Sequence, residues 1–132
     1  MPNLNQLTIR KAAEGLRKKK FSCEELLNDC LTAIGSRDGD IKAFVYVDEG
    51  GAFKAAREVD KRLKAGEDLP LLAGIPAGIK DIFNTKGVKT TCCSPILRDF
   101  VPPYDATVIE KLKDQHMVML GKTNLDEFAC GG

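Results

Sequence analysis

Short apolar runs alternate along this chain with amphipathic segments whose apolar residues recur every three or four positions. The strand-like runs cover residues 41–47, 71–79 and 117–120, and the second of them is broken by Gly74, Pro76 and Gly78. Strands that alternate with helices predict an α/β fold, with helices layered on a sheet and some parallel strand pairing. We find no internal repeat or low-complexity tract that would suggest another architecture.

Four amphipathic segments are predicted as helices. Thr8 precedes the first, and the capping box formed by Ser22 and Glu25 opens the second, which we expect to end at Gly35. The third is expected to stop at Gly66, and Asp105 is the expected cap of the fourth. In chain order, the segments cover residues 8–20, 22–35, 52–66 and 106–115.

The predicted sheet is incomplete. Two to four short apolar strands need cover on both faces and partners at their edges, and four helices of this size provide only part of that cover. We divide the chain into N-terminal helices at 1–35 and the beginning of an α/β core at 41–132.

Composition excludes several functional classes. The chain has 20 basic and 19 acidic residues and no one-sided basic stripe, which disfavours a direct grip on nucleic acid. Its apolar runs are far shorter than the roughly 20 residues of a membrane span. Because the N-terminal residues also lack the apolar core of a secretory signal, we expect a cytoplasmic protein.

Metal and nucleotide sites are disfavoured as well. The five cysteines form no C-x-x-C pair, and His116 is the single histidine, so neither a zinc site nor a Cys–His dyad is indicated. Gly121-Lys122-Thr123 resembles the end of a phosphate-binding loop, but His116 stands where that loop needs glycine. We therefore interpret Lys122 as a polar residue leaving the end of a strand, before a turn.

Lys80 is the candidate for chemistry, because it ends the apolar run Leu71 to Ile79. In an extended strand its side chain shares a face with Pro76 and Gly78, a nearly bare surface that another segment can approach closely. If such a segment covers Lys80, desolvation favours the neutral amine, which can activate a hydroxyl nucleophile. Composition and spacing alone favour the alternative, in which Lys80 pairs with a carboxylate at the sheet edge.

Three motifs, with LAGIPAGIKD before them, resemble the amidase-signature family and within it the A subunits of aspartyl/glutamyl-tRNA amidotransferases. The motifs are TTCCSPIL (90–97), FVPPYDATV (100–108) and GKTNLDEFA (121–129). The resemblance spans nearly the whole chain, and it implies the first part of the family's α/β/α sandwich with a mixed sheet. Residues 1–132 would then be a truncated amidase domain.

The resemblance also implies roles for particular residues. In that family a Ser–Ser–Lys triad hydrolyses amides, and the lysine matches Lys80, which reverses the preference stated above. The stretch that lines the substrate pocket matches Asp126 to Gly131, and within it Phe128, Ala129, Cys130 and Gly131 are the implied pocket residues. The positions of both catalytic serines lie past the point matching Gly132, so we expect no amidase activity from this polypeptide alone.

The partners implied by the resemblance are amidotransferase B and C subunits. Proteins of this kind release ammonia from glutamine, and the ammonia converts Glu-tRNA(Gln) or Asp-tRNA(Asn) to the amidated form on the B subunit. ATP and Mg are used there, the tRNA is held mainly by B, and this chain itself needs no cofactor. Two alternatives stay open: part of another amidase-signature carboxamide hydrolase, or a non-catalytic remnant that binds a partner through its uncovered strands.

Overall fold

The computed structural model describes residues 3–131 and contains four α-helices and three strands in that range. In chain order these are α1 (Ile9–Arg17), α2 (Cys23–Ile41), β1 (Phe44–Val47), α3 (Glu49–Lys64), β2 (Pro76–Lys80), α4 (Thr107–Asp114) and β3 (Val118–Thr123). Single 3₁₀ turns lie at Leu4–Gln6, Pro95–Leu97 and Glu127–Ala129. None of the helices within residues 3–131 has the length and apolar composition needed to cross a bilayer.

The capping box of α2 is confirmed, but the predicted end of this helix is wrong. The Ser22 hydroxyl accepts from Glu25 N at 3.0 Å, and the Glu25 carboxylate accepts from Ser22 N at 2.7 Å. The helix continues past Gly35 to Ile41, and it ends where Lys42 adopts a left-handed conformation and the Asp38 carboxylate accepts from Ala43 N. The following strand therefore begins at Phe44 rather than at residue 41.

The expected cap of α4 is also wrong. The N-cap is Ala106, which has no side chain able to cap. The Asp105 carboxylate instead accepts from Lys86 N and from Lys113 Nζ, both at 2.7 Å. Asp105 thus connects the 81–90 turn to the last turn of α4, a tertiary role that local sequence cannot show.

The three strands form a mixed sheet in the order β1-β3-β2. Strand β3 lies in the centre, antiparallel to β1 and parallel to β2, which agrees with the predicted mixed α/β architecture. Its register with β2 shifts between Ala77 and Gly78, because β3 has one more residue there than β2. Beyond this bulge Ile79 lies beside Lys122, and Lys80 lies beside Thr123.

The apolar core joins α1, α2 and α3 to the sheet. Its most enclosed members include Ala13 of α1, Leu27 of α2, Ala56 of α3 and Val118 of β3. The Asp60 carboxylate of α3 accepts from Cys23 N at 2.7 Å and Glu24 N at 3.1 Å. Helix α3 therefore helps to cap the N-terminus of α2. Ile79 and Ile109 are also buried but lie outside this core.

We predict that the 132-residue chain self-associates as its concentration rises. Within residues 3–131 both outer strands have an unpaired edge, and Val45 and Tyr46 on β1 are about half exposed. Size-exclusion chromatography with light scattering should show growing mass, reduced by Val45→Lys but not by Ile96→Lys, which adds the same charge away from the sheet. A monodisperse monomer with cooperative unfolding would contradict the argument from open edges.

A second prediction concerns Asp105. Partial burial opposes ionisation, but hydrogen bonds from Lys113 and Lys86 N outweigh it and lower the pKa of Asp105 below its ordinary value. A carboxylate with a lowered folded-state pKa contributes stability above its unfolded pKa, and this contribution is lost as pH falls through the folded one. Asp105→Asn should cost about 1 kcal/mol of unfolding free energy at pH 7.

The cost should shrink towards zero as the pH falls below the usual aspartate range. Urea unfolding followed by circular dichroism at low micromolar concentration measures it, with Asp99→Asn as the exposed control. A cost that is unchanged in acid would show that shape rather than charge matters at Asp105.

Candidate active site

Lys80 stands at the carboxyl end of β2 with its side chain exposed. The two-residue repeat of a strand explains this position, because Ile79 is buried and the next side chain must point the other way. Lys80 lines a wide polar depression together with four residues from the segment after β3: Asn124, Leu125, Asp126 and Ala129. Within residues 3–131 the Lys80 ammonium makes no ion pair, so the alternative carboxylate pairing is not formed there.

The bare surface beside Lys80 is approached by other parts of the sheet. A side chain placed at Gly78 would have its Cβ 2.8 Å from the Thr123 methyl and 3.3 Å from the Phe44 ring. Glycine is therefore required where β1 and β3 crowd this face of β2. Phe44 and Thr123 cover part of the surface beside Gly78 that was predicted to be bare, but they leave Lys80 itself exposed.

The structure brings one of the four predicted pocket residues to the depression. Ala129 lines it, whereas Phe128, Cys130 and Gly131 belong to the same loop without lining it. Gly131 lies so close to the Asp126 side chain that a Cβ there would collide with it. The loop therefore closes on itself beside Lys80. Asp126, the first residue of the predicted stretch, also lines the depression, whereas Asn124 and Leu125 are wall residues that the sequence did not single out.

The loop has an unusual backbone. Phe128 and Ala129 have φ of 53° and 57°, and Cys92 and Cys93, which face them, have φ of 50° and 53°. Residues other than glycine held in the left-handed region cost about 1–3 kcal/mol each and persist where contacts hold them. One such contact is the hydrogen bond from Phe128 N to Cys92 O, at 3.0 Å.

Lys122 has a structural role beside the site that the sequence analysis missed. It is fully buried, and the prediction that it leaves the end of a strand is wrong. Its Nζ donates to Phe83 O at 2.9 Å, Thr90 Oγ1 at 2.9 Å and Thr85 Oγ1 at 3.1 Å. These three acceptors use all three protons of an ammonium group.

The Lys122 charge is matched by Asp81, which is 1% exposed and whose Oδ1 lies 3.3 Å from Nζ. That oxygen has no hydrogen-bond partner among the described residues, so its interaction with the ammonium is electrostatic. Desolvation by burial lowers the pKa of Lys122, and the Asp81 carboxylate opposes that shift.

A partial signal for this buried pair was present in the sequence. An apolar strand ends in a lysine, and Asp81 and several threonines follow the neighbouring apolar run. The bulge in β3 hid it, because simple alternation does not place Lys122 beside the buried Ile79. The rule that a lysine ending an apolar run must be paired thus applies to Lys122 rather than to Lys80.

Cys23 and Cys92 favour the protonated thiol. Burial first, then the nearby Asp60 carboxylate, raises the pKa of the Cys23 thiol, and burial likewise raises that of Cys92. Raised values disfavour the thiolate that a nucleophile or metal ligand requires. Cys93 Sγ donates to Asn124 Oδ1 at 3.3 Å, a contact between the two strained segments.

Solved structures define the class of this fold. A component of a vestigial complex related to an s-triazine catabolic enzyme superposes with a TM-score of 0.91 at 35% identity, over 95% of this chain and 28% of that one. The peptide amidase of Stenotrophomonas maltophilia superposes with a TM-score of 0.87 at 28% identity, over 93% of this chain and 26% of the enzyme. The layered helices and mixed sheet are therefore those of an amidase fold.

Sequence comparison gives the family. The family model described as Amidase matches residues 25–132, and the chain belongs to the amidase-signature family. It is 48% identical over 131 residues to the A subunit of the glutamyl-tRNA(Gln) amidotransferase of Acidothermus cellulolyticus, covering 99% of this chain. Identity to the corresponding protein of Desulforudis audaxviator is 49% over 128 residues, covering 97%. The chain spans about a quarter of the length of these relatives, 26% in each.

We predict that Lys122→Met destabilises the fold by about 3–5 kcal/mol, because it leaves the Asp81 carboxylate buried without a counter-charge. The double variant Asp81→Asn with Lys122→Met should recover part of this loss, since it removes the orphaned charge. Urea unfolding measures both, with Lys86→Met as the exposed control. A double variant less stable than Lys122→Met would refute the electrostatic pairing.

Proposed function

We propose that this chain forms part of the glutamine-hydrolysing A subunit of a tRNA-dependent amidotransferase and supplies the lysine of its Ser–Ser–Lys triad. The observation that carries the proposal is the position of Lys80: an exposed amine at the end of a core strand, on the wall of a polar depression. The identity of 48% to a curated A subunit along nearly the whole chain favours this branch of the family.

The proposed chemistry uses Lys80 as the terminal base. In its neutral form it takes a proton from one serine, which takes a proton from the second as that serine attacks the glutamine amide. Ammonia leaves with a returned proton, and water then releases glutamate from the acyl-enzyme. Both serines would come from the portion of the relatives that this chain does not match, and so would the segment that covers Lys80 and favours its neutral amine.

The further partners follow from the same proposal. Ammonia released at this site would pass to a B subunit that activates the aminoacyl-tRNA with ATP and Mg, and a C subunit would join the two. The nearly balanced charge of the chain agrees with tRNA being held mainly by the B subunit. Such a complex would work in the cytoplasm, and residues 1–132 alone would not hydrolyse glutamine.

A hybrid protein tests the proposal. In it, residues 1–132 replace the matching residues of the A subunit from Acidothermus cellulolyticus, produced together with the B and C subunits of that organism. We expect the hybrid to release ammonia from glutamine and Lys80→Ala to lower kcat by about 10²–10⁴-fold, the usual contribution of a general base. Lys86→Ala, an exposed lysine six residues further on, should stay near the parent rate.

Glutamine turnover distinguishes this function from the alternative of another amidase branch. A hybrid that assembles with the B and C subunits but does not release ammonia from glutamine would favour that alternative. Near-normal turnover in the Lys80→Ala hybrid would remove the assigned role of that lysine.

A further inference from the structure

The segment Thr91–Ser94 lies between two parts of the candidate site and contacts both. On one side is Asp81, the residue directly after Lys80. Its Oδ2 accepts from Thr91 N at 3.1 Å and from the Thr91 hydroxyl, and its backbone carbonyl accepts from Cys92 N at 2.9 Å. The end of β2 therefore fixes the start of this segment.

On its other side, the segment contacts residues 124–129, which form the wall of the depression. Ser94 is buried, and its hydroxyl donates to Glu127 Oε1 at 2.7 Å. Cys92 O accepts from Phe128 N, and Cys93 Sγ donates to Asn124 Oδ1. The three contacts reach both ends of residues 124–129, the stretch that supplies Asn124, Leu125, Asp126 and Ala129 to the depression.

The contacts are needed because the backbone on both sides is strained. Two adjacent residues in each segment are held in the left-handed region, Cys92 with Cys93 and Phe128 with Ala129. A chain released from its contacts relaxes to ordinary dihedral angles. The wall would then move relative to Lys80, whose own position is fixed by β2 and by the buried pair of Asp81 with Lys122.

We propose that Ser94 and Glu127 are positioning residues: their hydrogen bond, anchored through Thr91 to the Asp81–Lys122 pair, sets the wall at residues 124–129 against Lys80. Neither residue lines the depression in the described structure. Their effect on substrate is therefore indirect, through the place of Asn124, Asp126 and Ala129. The part of this inference that concerns glutamine binding rests on the proposed function.

A double-substitution cycle in the hybrid enzyme tests the pair. Ser94→Ala and Glu127→Ala should each raise KM for glutamine about 2–10-fold, the effect of one net hydrogen bond, with kcat within about twofold of the parent. The double variant should be no worse than Ser94→Ala, because both substitutions remove the same interaction and Ser94→Ala in addition removes the acceptor of Ile96 N. Glu127→Gln keeps an oxygen acceptor and should restore KM, and the exposed Ser36→Ala should leave it unchanged.

Additive effects in the double variant, or a Glu127→Gln enzyme as impaired as Glu127→Ala, would overturn the pairing. A fall in kcat with unchanged KM would also overturn it, since that places the defect at the reacting groups and not at the wall.

Hydrogen exchange on the 132-residue chain tests the same coupling without any activity. Peptides covering residues 124–130 should exchange at least about threefold faster in Ser94→Ala, while peptides from α1 keep the parent rate. Unchanged exchange in Ser94→Ala would overturn the inference even if the hybrid is active. An inactive hybrid with faster exchange would instead count against the proposed function alone.

Discussion

The fully buried ammonium of Lys122, on the central strand β3, makes the interactions on which the rest of the site depends. Its three protons join β3 to the turn after β2 through Phe83, Thr85 and Thr90, and its charge keeps the Asp81 carboxylate in place. An enclosed ion pair of this type gives little net stability compared with apolar packing, but breaking one half of it is costly. The arrangement therefore fixes one geometry at the end of β2 and penalises departures from it.

Lys80 and Lys122 are identical side chains on adjacent strands, but they lie in opposite environments. Their strands run parallel and side by side, yet one lysine is exposed at an open depression and the other is enclosed among threonines. The enclosed lysine organises loops, and the exposed one is accessible from the depression. Under the proposed function the exposed lysine is the base, which must be held firmly and still reach its substrate.

Local signals explain what could be predicted from the sequence. The capping box of α2, the apolar repeat of α1 and the mixed α/β character are confirmed, because each follows from residues within one turn or one strand of each other. The errors at Asp105 and Lys122 share a cause. Their partners lie up to 41 residues away in sequence, and a strand bulge changes which side chains point inwards. Lys80 could be singled out as a candidate because its position at the end of a broken apolar run is a local feature, whereas the wall residues depend on how a distant loop folds back.

The extra residue in β3 near Leu120 has a consequence for how this segment can vary. Everything after it in the strand is out of phase with what precedes it, so if the two strands paired without this bulge, Gly121 would lie beside Ile79 and Lys122 would lie beside Lys80. Point substitutions that preserve the residue count leave both lysines on their own sides. The identity of the enclosed lysine is thus decided by counting along the strand and not by any chemical difference between the two amines.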